Sequence, residues 1–161
     1  MNVHDRDRAG RTPLHYAVGD DPAGLDYTAA LKDPAVAEAN FQKGNEFKVA
    51  NTKRLLAEGA DVNARDDEGL TPLHAAASRN SVDVVRLLVE AGADVNARSN
   101  SGETPLFNAA ANKTRGKVPI MRLLREHGAD PTVEANDGFS ALKYVQRYGY
   151  PEDKEVFADL L

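Results

Sequence analysis

Thr71-Pro72-Leu73-His74 opens the stretch whose reading decides the fold. Thr71 suits a helix N-cap through its hydroxyl, and Pro72 suits the first helical position. Ala75, Ala76 and Ala77 follow, which predicts a short helix whose small side chains let neighbouring helices approach. Asn80 and Ser81 predict a turn into a second helix. There Val82, Val85 and Leu88, with Val84, Leu87 and Val89, recur at helical spacing and give an apolar face. Gly92 stands where a helix ends in the left-handed conformation. Asn100, Ser101 and Gly102 mark a hairpin-like finger beyond it.

The opening word recurs. Thr12-Pro13-Leu14-His15 precedes it, Thr104-Pro105-Leu106-Phe107 follows, and Ser140-Ala141-Leu142-Lys143 is a weaker echo. Leu55-Leu56, Leu87-Leu88 and Leu123-Leu124 each lead into Gly-Ala-Asp, at Gly59, Gly92 and Gly128. The glycines that open successive units supply the period. Gly69 to Gly102 is 33 residues and Gly102 to Gly138 is 36, so the third unit carries about three extra residues. This period and the T-P-L-H-x-A word resemble the ankyrin repeat. The resemblance implies an all-α solenoid of about four helix–turn–helix repeats with hairpin-like fingers. It divides a single domain, 1–161, into repeats of roughly 5–64, 65–97, 98–133 and 134–161. One such repeat cannot bury its own apolar face, and stacking makes the core. The fourth unit runs from Gly138 through Leu142 and Val145 to a last helix expected over 152–161. Lys143, Gln146, Arg147, Lys154 and Glu155 suit it to an end position that faces water.

The first repeat is irregular. Gly10 to Gly69 is 59 residues, 26 more than one period of 33, and no second copy of the word lies between Tyr16 and Asn51. The turn between the two helices has grown into an insertion of about residues 19–47. Asp33-Pro34 reads as a cap and first helical residue, starting a helix through Ala35 to Phe41 that Gly44 would end. Leu25, Tyr27, Leu31, Val36, Phe41 and Phe47 offer apolar anchors. Such an insertion either packs on the edge of the stack, as loops accept extra residues cheaply, or binds a partner, as long loops often do.

Composition narrows the function. The chain has 161 residues and a net charge of −5. Residues 19–47 hold six acidic side chains against two lysines, so most of the acidity lies in the insertion. A nucleic-acid ligand is disfavoured, because phosphate contact wants a basic surface. With no cysteine, disulfides and thiolate metal sites are excluded, which fits a reducing compartment. No apolar run approaches the roughly 18–20 residues of a membrane helix, and residues 1–8 have no apolar core for secretion. The expectation is a cytoplasmic protein, monomeric when unbound, with no membrane partner. No pair of histidines has metal-ligand spacing, and there is no phosphate loop or nucleophile elbow. No catalytic residue, cofactor or metal is therefore assigned.

The resemblance implies binding through the fingers and the concave face of the first helices. By position within the repeat, that face holds Tyr16, Ser78, Arg79, Asn108, Asn112, Tyr144, Arg147 and Tyr148. The fingers present Asp66, Asp67, Glu68, Asn100 and Glu103. Asp20, Asp21, Asp26 and Glu38 form a second candidate surface on the insertion, suited to a basic partner. Aromatics beside an Arg are the composition of an interaction hot spot. His15 and His74 are expected to hydrogen-bond neighbouring loops, and His127 to sit favourably against the carbonyls ending its helix. The whole implies a non-catalytic protein-binding module that occupies or blocks its partner. Small solitary ankyrin chains resemble one class of immunity protein that neutralises toxins. An adaptor or regulatory fragment of a larger protein is the alternative, and an enzyme a distant one.

Overall fold

The computed structural model describes residues 2–79, 81–113 and 117–161. Asn80, read above as part of a turn, lies outside them. Nine helices occur among the described residues: α1 (Pro13–Ala17), α2 (Tyr27–Ala30), α3 (Pro34–Ala57), α4 (Pro72–Ala77), α5 (Val82–Glu90), α6 (Pro105–Ala111), α7 (Val118–Glu126), α8 (Ala141–Tyr148) and α9 (Pro151–Glu155). The short helices α1, α4, α6 and α8 stack in one row, while α3, α5 and α7 stack behind them.

Side-chain caps mark several of the helix starts. Ser81 Oγ accepts from Val84 N–H to start α5, and Ser140 Oγ accepts from Lys143 N–H to start α8. Gly92 follows α5 with φ +91°, which only glycine adopts without a steric penalty. The apolar side chains of the repeated words then meet. Leu14, Leu73 and Leu106 are fully buried, as are Ala76, Ala109, Val84, Val85, Leu88, Ile120 and Leu124. Of the Leu-Leu pairs in the middle of the stack, Leu88, Leu123 and Leu124 enter the core, whereas Leu87 is only half-buried.

Two helices differ from the sequence expectation. Asp33 caps α3 through Ala35 N–H as expected, but Gly44 does not end that helix. The helix runs on unbroken into Leu55-Leu56, so the insertion's helix and the first repeat's second helix are one rod of 24 residues, roughly 36 Å long. Gly44 is buried inside it against Asp21, whose Oδ1 would lie 2.8 Å from an added Cβ. Close approach, not helix termination, is its use. The last helix, expected over 152–161, is α9 at Pro151–Glu155 followed by turns. Val156, Phe157 and Ala158 N–H groups bond three residues back. Arg125 draws this segment inward by donating to the Val156 carbonyl and, at 2.7 Å from each of two nitrogens, to the Asp159 carboxylate. Phe157 is thereby fully buried.

Candidate protein-binding face

The fingers lie beside the first-helix row and are built by a repeated pattern of turns. Each closes on itself: Asp7 N–H donates to Arg11 O, Asp66 to Leu70, Ser99 to Glu103 and Ala135 to Phe139, at 2.8–3.0 Å. Each of the last three also bonds the finger before it, with Asp67 N–H on Ala9 O, Asn100 on Glu68 and Asn136 on Ser101. Gly69 makes the approach possible, since a Cβ there would meet Asn100 N at 2.9 Å. Two ladders of side chains that the sequence reading missed run along this ribbon. Arg6 donates to Arg65 O, Arg65 to Arg98 O and Arg98 to Glu134 O, at 2.6–2.8 Å. Asn63 donates to Gly92 O and Asn96 to Gly128 O. Their signal was the recurrence of Asn63-Ala64-Arg65 as Asn96-Ala97-Arg98 at the same 33-residue period.

The histidines join fingers to helices. His74 Nε2 lies 3.1 Å from the Glu103 carbonyl, which can only accept, so the proton is on Nε2. Nδ1 then receives Thr71 N–H and the Thr71 hydroxyl. His15 does the same between Thr12 and Leu70 O. Burial is the larger influence on both rings and holds them below the ordinary histidine value, against the opposing pull of those carbonyls. Where Phe107 replaces histidine, the cap hydroxyl of Thr104 turns instead to the Phe107 N–H. His127 donates from Nδ1 to the Leu123 carbonyl at its helix end.

Grooves between neighbouring repeats collect most of the expected face residues. Tyr16, Asp66 and Arg79 line one of about 340 Å³, with Arg11, Leu70 and Ala75. Ser78 borders both this groove and the next, of about 320 Å³, which holds Glu103, Phe107, Asn108 and Asn112. At the far end Phe107 meets Tyr144 edge-on at 5.8 Å, Tyr144 meets Tyr148 at 5.2 Å, and Phe139 stacks on Tyr148 at 6.5 Å. The Arg147 guanidinium lies 5.3 Å from the Tyr148 ring, and Tyr148 remains 56% exposed.

Several expected contact residues also bond within the scaffold. The Asp66 carboxylate accepts Glu68 and Leu70 N–H groups, and its side chain is 4% exposed. The Asn100 amide donates to Asp67 O, and the Asn112 amide to Ser78 O. Tyr16 donates its hydroxyl to Asp7, and that bond is the first cause of the lowered Asp7 carboxyl and the raised Tyr16 phenol. Asp67 and Glu68 are exposed at the finger tip.

On the insertion, the four acidic candidates are not equivalent free charges. Partial burial pushes the Asp21 carboxyl up, but Lys48 at 2.5 Å and the Tyr27 hydroxyl at 2.8 Å hold it below the usual range. Asp26 caps α2 through Ala29 N–H, and Glu38 accepts from Gln42. Changing all four would therefore disturb the insertion's own structure, because two of them build it. Asp20 is exposed and borders the first inner groove.

A stack of helix pairs with capped grooves and a continuous finger ribbon is a binding scaffold. A family model for ankyrin repeats, three copies, matches residues 45–135, more than half of the chain, and the chain belongs to that family. Its members are protein–protein interaction modules. Among curated relatives, zebrafish protein fem-1 homolog A is 33% identical over 89 residues, 55% of this chain and 12% of that protein. Human neurogenic locus notch homolog protein 1 is 35% identical over 94 residues, 53% of this chain and 4% of the relative. The aligned stretch thus spans a small part of these relatives' length. No helix among the described residues is long and apolar enough to cross a membrane, and no group of three or more His, Cys, Asp or Glu among them could hold a metal.

Proposed function

We propose that this chain is a non-catalytic module that seizes another protein across its first-helix face and acts by occupying that partner's surface. The observation that carries this is the aromatic cluster of Phe139, Tyr144 and Tyr148 with Arg147 over the exposed Tyr148 ring. Tyr and Arg dominate interface hot spots because they bury large area at low entropic cost and still find polar partners. The grooves around Arg79 and Asn108 extend the same face towards the first repeat. Neutralisation of a toxin is one form such occlusion would take, and the exposed Asp20 beside the face would suit a basic one.

The test is binding kinetics with a partner isolated from the native source. Tyr148→Ala with Arg147→Ala should speed dissociation at least about tenfold with little change in association, since anchor losses act on the off-rate. Unchanged dissociation by a folded variant would remove this face as the binding site.

A further inference from the structure

The insertion forms a second surface, which adjoins the first-helix face at Arg79. The short helix α2 packs on the first turns of α3, and a groove of about 480 Å³ opens between them and the edge of the second repeat at Arg79 and Ser81. Leu25, Tyr27, Ala30, Leu31, Ala37 and Phe41 line it. Its apolar side chains are unusually bare: Leu31 is 88% exposed, Tyr27 58% and Phe41 55%. Its polar groups, the exposed Arg79 guanidinium apart, are already engaged. Asp21 holds Lys48 and Tyr27, Asn40 donates to Asp26 O, and Asn45 joins Asp83 and Ser81. The groove is therefore formed in advance, and what its free side chains offer is mainly apolar contact, with the Arg79 guanidinium at one edge. Because α3 continues into the stacked core, this surface is presented on a rigid rod.

We propose that the groove is a docking site for an amphipathic helix of another protein, with an apolar face and basic flanks. The helix-in-groove mode reads apolar anchors on one face of a helix, which Leu25, Leu31 and Phe41 would receive. Charge selects the flanks. Asp21 and Lys48 cancel each other inside the groove, and the surrounding surface of residues 19–48 carries five exposed carboxylates, Asp20, Asp26, Asp33, Glu38 and Glu46, which outnumber the cations Lys32, Lys43 and, on the groove's inner edge, Arg79. The same acidity disfavours a second copy of this chain, which would set these carboxylates against themselves, and it repels an anionic membrane.

The test titrates the isotopically labelled 161-residue chain with a designed Leu/Lys amphipathic peptide of about 16 residues, and with a Leu/Glu peptide of the same pattern. Resonance shifts should concentrate at residues 25–41. Leu31→Ser with Phe41→Ser should weaken the Leu/Lys peptide at least about tenfold. Added salt should weaken it too, and the Leu/Glu peptide should bind at least about tenfold less tightly. Both altered side chains are exposed, so the fold should persist by thermal melting; Leu31→Ser alone serves if it does not. Shifts spread over the whole surface, equal binding of the two peptides, or unchanged affinity in the folded variant would overturn the proposal. Self-association abolished by Leu31→Ser would reassign the groove to a second copy and overturn it as well. Tyr148→Ala should leave peptide binding unchanged, which separates this site from the first-helix face.

Discussion

One imidazole at position 74 connects two repeats. Its Nε2–H reaches the Glu103 carbonyl of the next finger while Nδ1 accepts from Thr71 at the start of its own helix. His74→Ala would strand a buried N–H and remove the carbonyl's side-chain donor, at about 1–3 kcal/mol for each unsatisfied group. Denaturant unfolding should show that loss, while any folded protein still binds its partner. The same burial sets a pH response. The folded rings of His15 and His74 titrate below the ordinary value, so as pH falls through about 6.5 the unfolded chain takes up protons that the fold resists. Stability should fall over that interval and level off once the folded rings also protonate. Urea midpoints between about pH 7.5 and 5.5 should drop in the natural chain and less in His74→Ala.

At the scale of elements, α3 and α9 carry the features that local pattern did not announce. Gly→Ala inside a helix ordinarily gains about 1 kcal/mol. Gly44→Ala should not deliver it, because the new methyl meets the Asp21 carboxylate that Lys48 and Tyr27 hold in place. Restoring the gain by combining it with Asp21→Ala, relative to Asp21→Ala alone, would confirm that contact in a double-mutant cycle. The terminal helix α9 is tied by a buried ion pair. Lys117 Nζ sits 3.0 Å from Asp153 and also donates to Ala110 O, with the two side chains 4% and 1% exposed. Lys117→Met leaves Asp153 buried without its cation and should cost about 3–5 kcal/mol in chemical denaturation, far more than a surface pair would.

For the whole molecule, stability is a sum over repeats and the interfaces between them. Leu88 is fully buried in α5, which packs on α3, α4 and α7 at the centre of the stack. Leu88→Ala should therefore cost about 2–5 kcal/mol, read as a lowered denaturant midpoint. A shift under about 1 kcal/mol would mean that the two sides of the stack unfold independently of this helix.

The words Thr-Pro-Leu-His and Gly-Ala-Asp sufficed for the repeat, the helix starts and the buried Leu14, Leu73, Leu88 and Leu106, because caps, proline and apolar spacing act within one or two helical turns. The two histidines were legible for the same reason, being part of the word. What tertiary structure decided lies at longer range. Whether Gly44 stops a helix or admits a neighbour depends on Asp21, 23 residues earlier in the chain. Whether Asn100 and Asp21 face a partner or their own scaffold depends on the Asp67 carbonyl and the Lys48 amine that folding brings to them. Arg65 and Arg98 read as surface charges until stacked fingers set carbonyls in their reach. A side chain's local propensity is written beside it in the sequence. Its partner 30 residues away is chosen by packing, since a polar group taken from water must be satisfied by whatever the stack places next to it.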